Sequence, residues 1–215
     1  MTAIRRFGRL NFAWALAIFG ALLLFAPQAV LAAKFYVDGS TLELKPGEKA
    51  APVTPRPLQI LYEFQRDGGP NPKATKFTKG WILEDLKASG GFSEVAETPV
   101  AGGAVLSIKF NNVVDPEKLK KAKADGFKTG LSFGLFGGTV VEDLYEVTFE
   151  YVPSPGAAPI KTVVFHKLTT TIGKVDQCTI PGVQYKKGDL AVRELVRQVM
   201  VRGLNNLFVD PAFPR

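Results

Sequence analysis

The chain predicts an α+β fold, a single mainly antiparallel sheet with its helices packed on one face. Three observations carry this expectation. Residues 58–65, "LQILYEFQ", alternate apolar and polar side chains, as a half-buried strand does. Two longer alternating runs, "EDLYEVTFEYV" and "IKTVVFHKLTTTIG", flank the turn-forming "PSPGAAP", which is how neighbouring antiparallel strands are written. Near the end, Val192, Leu195, Val196, Val199, Gly203, Leu204, Leu207 and Phe208 recur at three- and four-residue steps. That is an apolar helical stripe in need of a surface to cover it.

The first element is a leader. Arg5, Arg6 and Arg9 stand without an acid before the apolar "FAWALAIFGALLLFA", and Pro27 and the small residues of "QAVLAAK" follow. Basic, apolar and small-residue regions in this order read as a secretory signal over residues 1–33, with Ala33 or Lys34 first after cleavage. Residues 12–33 are also just long enough to serve as an uncleaved inner-membrane anchor. The arginines hold the cytoplasmic side in both cases, so the body is expected in the periplasm. After cleavage roughly 180 residues remain, the size of one domain with an ordinary core. Cys178 is the only cysteine, so an exported chain of this kind has no internal disulfide to lean on.

The formal charge of +7 overstates the basicity of the body, since three of those charges are the leader's. Taking its three arginines from the 27 basic residues leaves 24 against 20 acidic ones, a charge of +4. That is an ordinary surface rather than a nucleic-acid footprint.

Residues 34–55 are expected to hold an N-terminal β-hairpin about Asp38-Gly39 and a proline-rich linker, "AAPVTPRP". Residues 56–215 then form the α+β domain, in the order β-α-β-β-α-β-β-α. Its first strand points Leu58, Ile60, Tyr62 and Phe64 one way, and "DGGPNP" breaks the chain. Asn71 suits an N-cap with Pro72 at the first helical position; Phe77, Trp81, Ile82 and Leu86 share a side, and Gly90-Gly91 ends the helix. "FSEVAET" and "AVLSIKFNNVV" are the next strands, and Asp115-Pro116 opens a short lysine-rich helix, "PEKLKKAKAD". The two long strands follow, with Tyr145, Val147, Phe149 and Tyr151 on one face of the first. "KVDQCTIPGVQYKKG" has no period and reads as a loop, and Asp189 caps the last helix.

Catalytic chemistry finds little footing. His166 is the only histidine and alternates with Val164 and Leu168 inside a strand, as a satisfied or half-exposed histidine does. Nothing in the order of residues pairs it with Cys178 as base and nucleophile. No metal-ligand spacing, calcium loop or phosphate-binding glycine loop occurs. The chain is therefore expected to be no enzyme and to need no cofactor.

The segment "GFKTGLSFGLFGGTVV" is the unusual one, with Gly126, Gly130, Gly134 and Gly138 four apart. It fits an apolar loop on the sheet edge, a short glycine-faced helix docked on the domain or a partner, or a shallow membrane insert. A span is excluded, because ~13 residues at ~1.5 Å each cannot cross a bilayer. Four interior glycines would also cost a free helix about 1 kcal/mol each. The expectation is a partly exposed contact segment beside the sheet. Its contact residues would be Phe127, Leu131, Phe133, Leu135 and Phe136, with Lys118, Lys120 and Lys121 of the preceding helix. Those lysines read first as a solvated helix face, and second as a site for anionic headgroups.

The run "LYEFQRDGGPNP…WILEDLKASGGFSEV" resembles the β-α-β module of Gram-negative envelope lipoproteins of the transport-auxiliary, LPS-assembly and peptidoglycan-synthase-activator types. "GLSFGLFGGTVVEDLYEVTFEY" is similar to a stretch in uncharacterised members. The resemblance implies a small α+β domain that holds a partner in the periplasm. It carries over no functional residue, and this chain lacks the lipidation cysteine after the apolar run.

Two functions are expected on these grounds. One is a non-catalytic envelope adaptor or accessory factor whose partner is an envelope protein or membrane lipid, with no nucleic acid involved. The alternative is a carrier of a small apolar ligand in a pocket between sheet and helices.

Overall fold

The computed structural model describes residues 33–39, 42–45, 47–50, 54–113, 138–173 and 180–214. From Ala32 onward the chain forms one compact unit. Its elements are β1 (Lys34–Val37), β2 (Arg56–Arg66), β3 (Gly69–Pro70), α1 (Pro72–Ala88), β4 (Phe92–Ala96), β5 (Ala104–Val113), β6 (Gly138–Val152), β7 (Ile160–Gly173), β8 (Val183–Tyr185) and α2 (Gly188–Val209). The strands join in the order β3-β2-β5-β6-β7-β1-β8, with β4 beside β2. The pairs β2–β4 and β2–β5 are parallel and the others antiparallel. This is the expected α+β architecture, with a mainly antiparallel sheet.

Alternation fixes which face is buried. Ile60, Leu106, Tyr151 and Ile160 lie in one row across β2, β5, β6 and β7, and Phe64, Phe110, Val147 and Val164 in another. All are buried, and they share one apolar core with Ile82 and Leu86 of α1 and Leu195, Val196, Val199 and Leu207 of α2. The helices are tied by Arg193, which donates to both carboxylate oxygens of Asp85 at 2.7 and 2.8 Å and lies over the Trp81 ring. At Gly203 the backbone of α2 runs so close to the sheet that a Cβ would overlap the Phe149 ring.

Several expectations change. Among the described residues no hairpin forms about Asp38-Gly39. β1 is four residues long and pairs with β7 and β8 instead. The Asp-Gly that does turn a hairpin is Asp67-Gly68, where both residues have positive φ (50° and 78°) and β2 folds back on β3. The stretch read as a loop before the last helix contains β8, which forms because β1 offers it an open edge.

On α1 the buried line is Thr78, Ile82 and Leu86, while Phe77 stays exposed and packs edge-on against the half-buried Trp81 at 4.7 Å. The four-residue step through 78, 82 and 86 faces the sheet, and the step through 77 and 81 lies to one side of it. Asn71 caps α1 as expected, its Oδ1 accepting from Ala74 N at 3.2 Å. α2 begins at Gly188 with Lys187 as N-cap, so Asp189 sits inside the first turn, where its charge still suits the helix N-terminus. Gly138, the last glycine of the run, is the first residue of β6 and pairs with Gly173, which lengthens that ladder beyond the expected strand.

Candidate functional site

The contact residues expected from sequence, Phe127, Leu131, Phe133, Leu135, Phe136, Lys118, Lys120 and Lys121, lie outside the described residues. So do the lysine-rich helix, Cys178 and the leader. Three places among the described residues bring functional groups together.

The first is a polar row at one end of the core. Arg66, Asn112, Tyr145 and His166 are register partners across β2, β5, β6 and β7. The Asn112 side chain hydrogen-bonds Asp143 and Tyr145. Burial raises the Asp143 carboxyl above its usual range, and Asn112 and the Arg66 charge partly offset it. Burial, with the Asp143 charge second, pushes the Tyr145 hydroxyl up to about 12. His166 Nε2 lies 2.8 Å from Gln198 Oε1. Gln198 donates to Glu194, which Arg197 grips through two nitrogens at 2.8 and 2.6 Å. The chain of bonds ends in an ion pair, so each group is held by protein. Of the satisfied and half-exposed states its position in β7 allowed, His166 takes the first, being 7% exposed.

Burial lowers the His166 pKa below its ordinary value, against the opposing pull of Gln198, Asp38 and Glu194. Its contribution to stability is therefore complete above about pH 6.5 and is lost as pH falls through that value toward the lower one of the folded state. The wild-type melting temperature should drop over that window, and His166→Gln should flatten the drop. Parallel profiles for the two proteins would contradict the assignment.

The second place is a groove in the helix layer. Residues 42–45 and 47–50 run as a strap over α2. Arg202 donates to the carbonyls of Leu42 (3.2 Å) and Glu43 (2.6 Å), and Asn205 bonds Glu48 O (2.9 Å) and Ala50 N (2.7 Å). Between strap, α2 and the end of α1 lies a cavity of about 650 Å³. Met200 and Leu204 are buried at its floor; Leu44, Val201 and Phe208 wall it; Lys49 and Arg197 are exposed beside it. Between sheet and helices, where the pocket was expected, the described residues leave a cavity of only about 30 Å³, beside Ile60 and Ile82, and Phe110 and Phe149 are fully buried in that layer. Arg202 and Asn205, polar positions three apart beside the apolar stripe, were the signal in the sequence for something lying over the helix.

The third place is the sheet face turned away from the helices. Phe165 is 67% exposed and Val163 42%. Leu144 and Val113, also exposed, pair with each other one row further on. Beyond β7 the only described partner is β1, and it pairs with Leu168–Thr171 alone. Ile160–Lys167 is thus an open strand edge among the described residues. The charges on this face are mixed, with Lys161 3.0 Å from Glu150 and Lys167 3.0 Å from Glu142.

Among the described residues no three side chains of metal-binding type cluster, and no helix is long and apolar enough to cross a membrane.

No protein-family model and no curated protein matches the chain. Solved structures that overlap with it include two PelC dodecamers from Paraburkholderia phytofirmans, one of them a point variant. These are 16% and 14% identical, cover 78% of this chain and 95% and 94% of theirs, and have TM-scores of 0.35 and 0.34. An uncharacterised protein is 11% identical over 73% of this chain and 92% of its own, with a TM-score of 0.32. Overlap at such scores carries neither an arrangement nor a function to this chain.

Proposed function

We propose that this is a non-catalytic, exported envelope protein that works as an accessory factor by holding another protein. The observation that carries this is the exposed apolar group of Val113, Leu144, Val163 and Phe165 beside the open edge of β7. An extended segment can add to such an edge through its backbone while its side chains meet Val163 and Phe165. The balanced charges of this face favour a protein over anionic lipid, which draws a surplus of lysine and arginine. Export is supported by the leader and by the compact unit beginning at Ala32, beside the expected cleavage point.

The test places a photo-crosslinking residue at Phe165, or at the exposed Lys76 on the helix side, in intact cells. Position 165 should give an adduct of defined mass that Lys76 does not, and Val163→Glu should reduce it. The same recovered protein should begin at Ala33 or Lys34. Equal adducts from both positions, or none, would remove the contact reading; an intact Met1 in periplasmic protein would remove the cleaved leader.

A further inference from the structure

We propose that the groove between the strap, α2 and the end of α1 binds a detached anionic amphiphile, a molecule with an apolar body and one anionic group. This site is on the opposite side of the sheet from β7's exposed face and does not depend on it.

Size and lining set the class of ligand. A cavity of about 650 Å³ falls within the range of small-molecule sites. Its floor and walls, Met200, Leu204, Val201, Phe208 and Leu44, are apolar, so the body of the ligand must be apolar as well. The charges set the sign of its head. Asp85 and Arg197 line the groove, but Arg193 occupies the first and Glu194 the second. Asn205 spends its amide on Glu48 and Ala50. Lys49 alone among the charged lining residues has no partner among the described residues, and it stands exposed at the mouth. One unneutralised ammonium over an apolar trough complements one anionic group on an apolar body. The shape of the groove depends on the strap, and the strap depends on Arg202 and Asn205; these two polar side chains therefore hold one wall in place.

The experiment titrates the full chain, as recovered from cells, with dodecanoate below its micelle concentration, followed by calorimetry. Dodecyltrimethylammonium, with the same tail and the opposite charge, is the control. Dodecanoate should bind saturably with one molecule per chain, and the cationic probe should not. Lys49→Glu, at an exposed position, should weaken dodecanoate about tenfold, the loss of one charge-assisted contact. Val201→Trp should fill the trough and abolish binding while circular dichroism remains that of the wild type. Equal binding of both amphiphiles would show a merely greasy surface and overturn the proposal. So would dodecanoate binding that neither variant changes, no saturable binding at all, or binding seen only with anionic vesicles.

Discussion

Gly203→Leu is expected to remove the cooperative thermal transition of this protein. Position 203 lies on the buried side of α2, and a Cβ there would already overlap the ring of Phe149. Phe149 is fully buried in the middle of the sheet and cannot turn aside without disturbing the core around it. Even Gly203→Ala should lower the melting temperature, although alanine favours a helix over glycine by about 1 kcal/mol. Steric overlap opposes propensity here and wins, because inserting carbon into a filled core commonly costs about 1–3 kcal/mol for far milder changes. The cause can be isolated by pairing Gly203→Ala with Phe149→Leu, which gives the new methyl room. The double variant should melt higher than the sum of the single effects predicts. If Gly203→Ala is neutral or stabilising, α2 does not approach the sheet as described.

The second large effect is expected at Leu195. This side chain is 1% exposed and belongs to the same core as Val37 and Val164. Leu195→Ala should cost about 2–5 kcal/mol in urea or thermal unfolding, the loss of buried methyl groups together with the cavity left behind. Leu190 gives the internal comparison. It lies on the same helix, half exposed, and Leu190→Ala should stay within about 0.5 kcal/mol of wild type. Equal effects at the two positions would mean that α2 is not docked through the stripe that contains Leu195.

Much of the architecture could be read from the order of residues. The buried faces of β2 and β6 and the stripe of α2 are where alternation and three-to-four spacing put them, because a long periodic run leaves only one way to hide its apolar side. The Asn71-Pro72 start of α1 was equally legible, being a matter of local hydrogen bonding. The candidate sites were not. The groove draws on Leu44, Lys49 and Ala50, on the end of α1 from Asp85 to Gly91, and on α2 from Arg197 to Phe208, and no local pattern joins three such distant segments. The polar row of Arg66, Asn112, Tyr145 and His166 exists only through strand register.

Asp-Gly occurs at 38–39, 67–68 and 125–126, and the first two show where local information ends. Each dipeptide permits a tight turn, and the alternating stretch about the first reads as a hairpin as readily as any. Packing chose the second. β2 has only a short β3 to fold back on, whereas β1 finds the far end of β7 and β8 on either side of it, and the strap is drawn off to lie over Arg202 and Asn205. Periodicity specifies which side of an element is buried because that depends on neighbours within a few residues. What β1 pairs with, and what lies across α2, depends on partners more than a hundred residues away, and those are selected by the free energy of the assembled core.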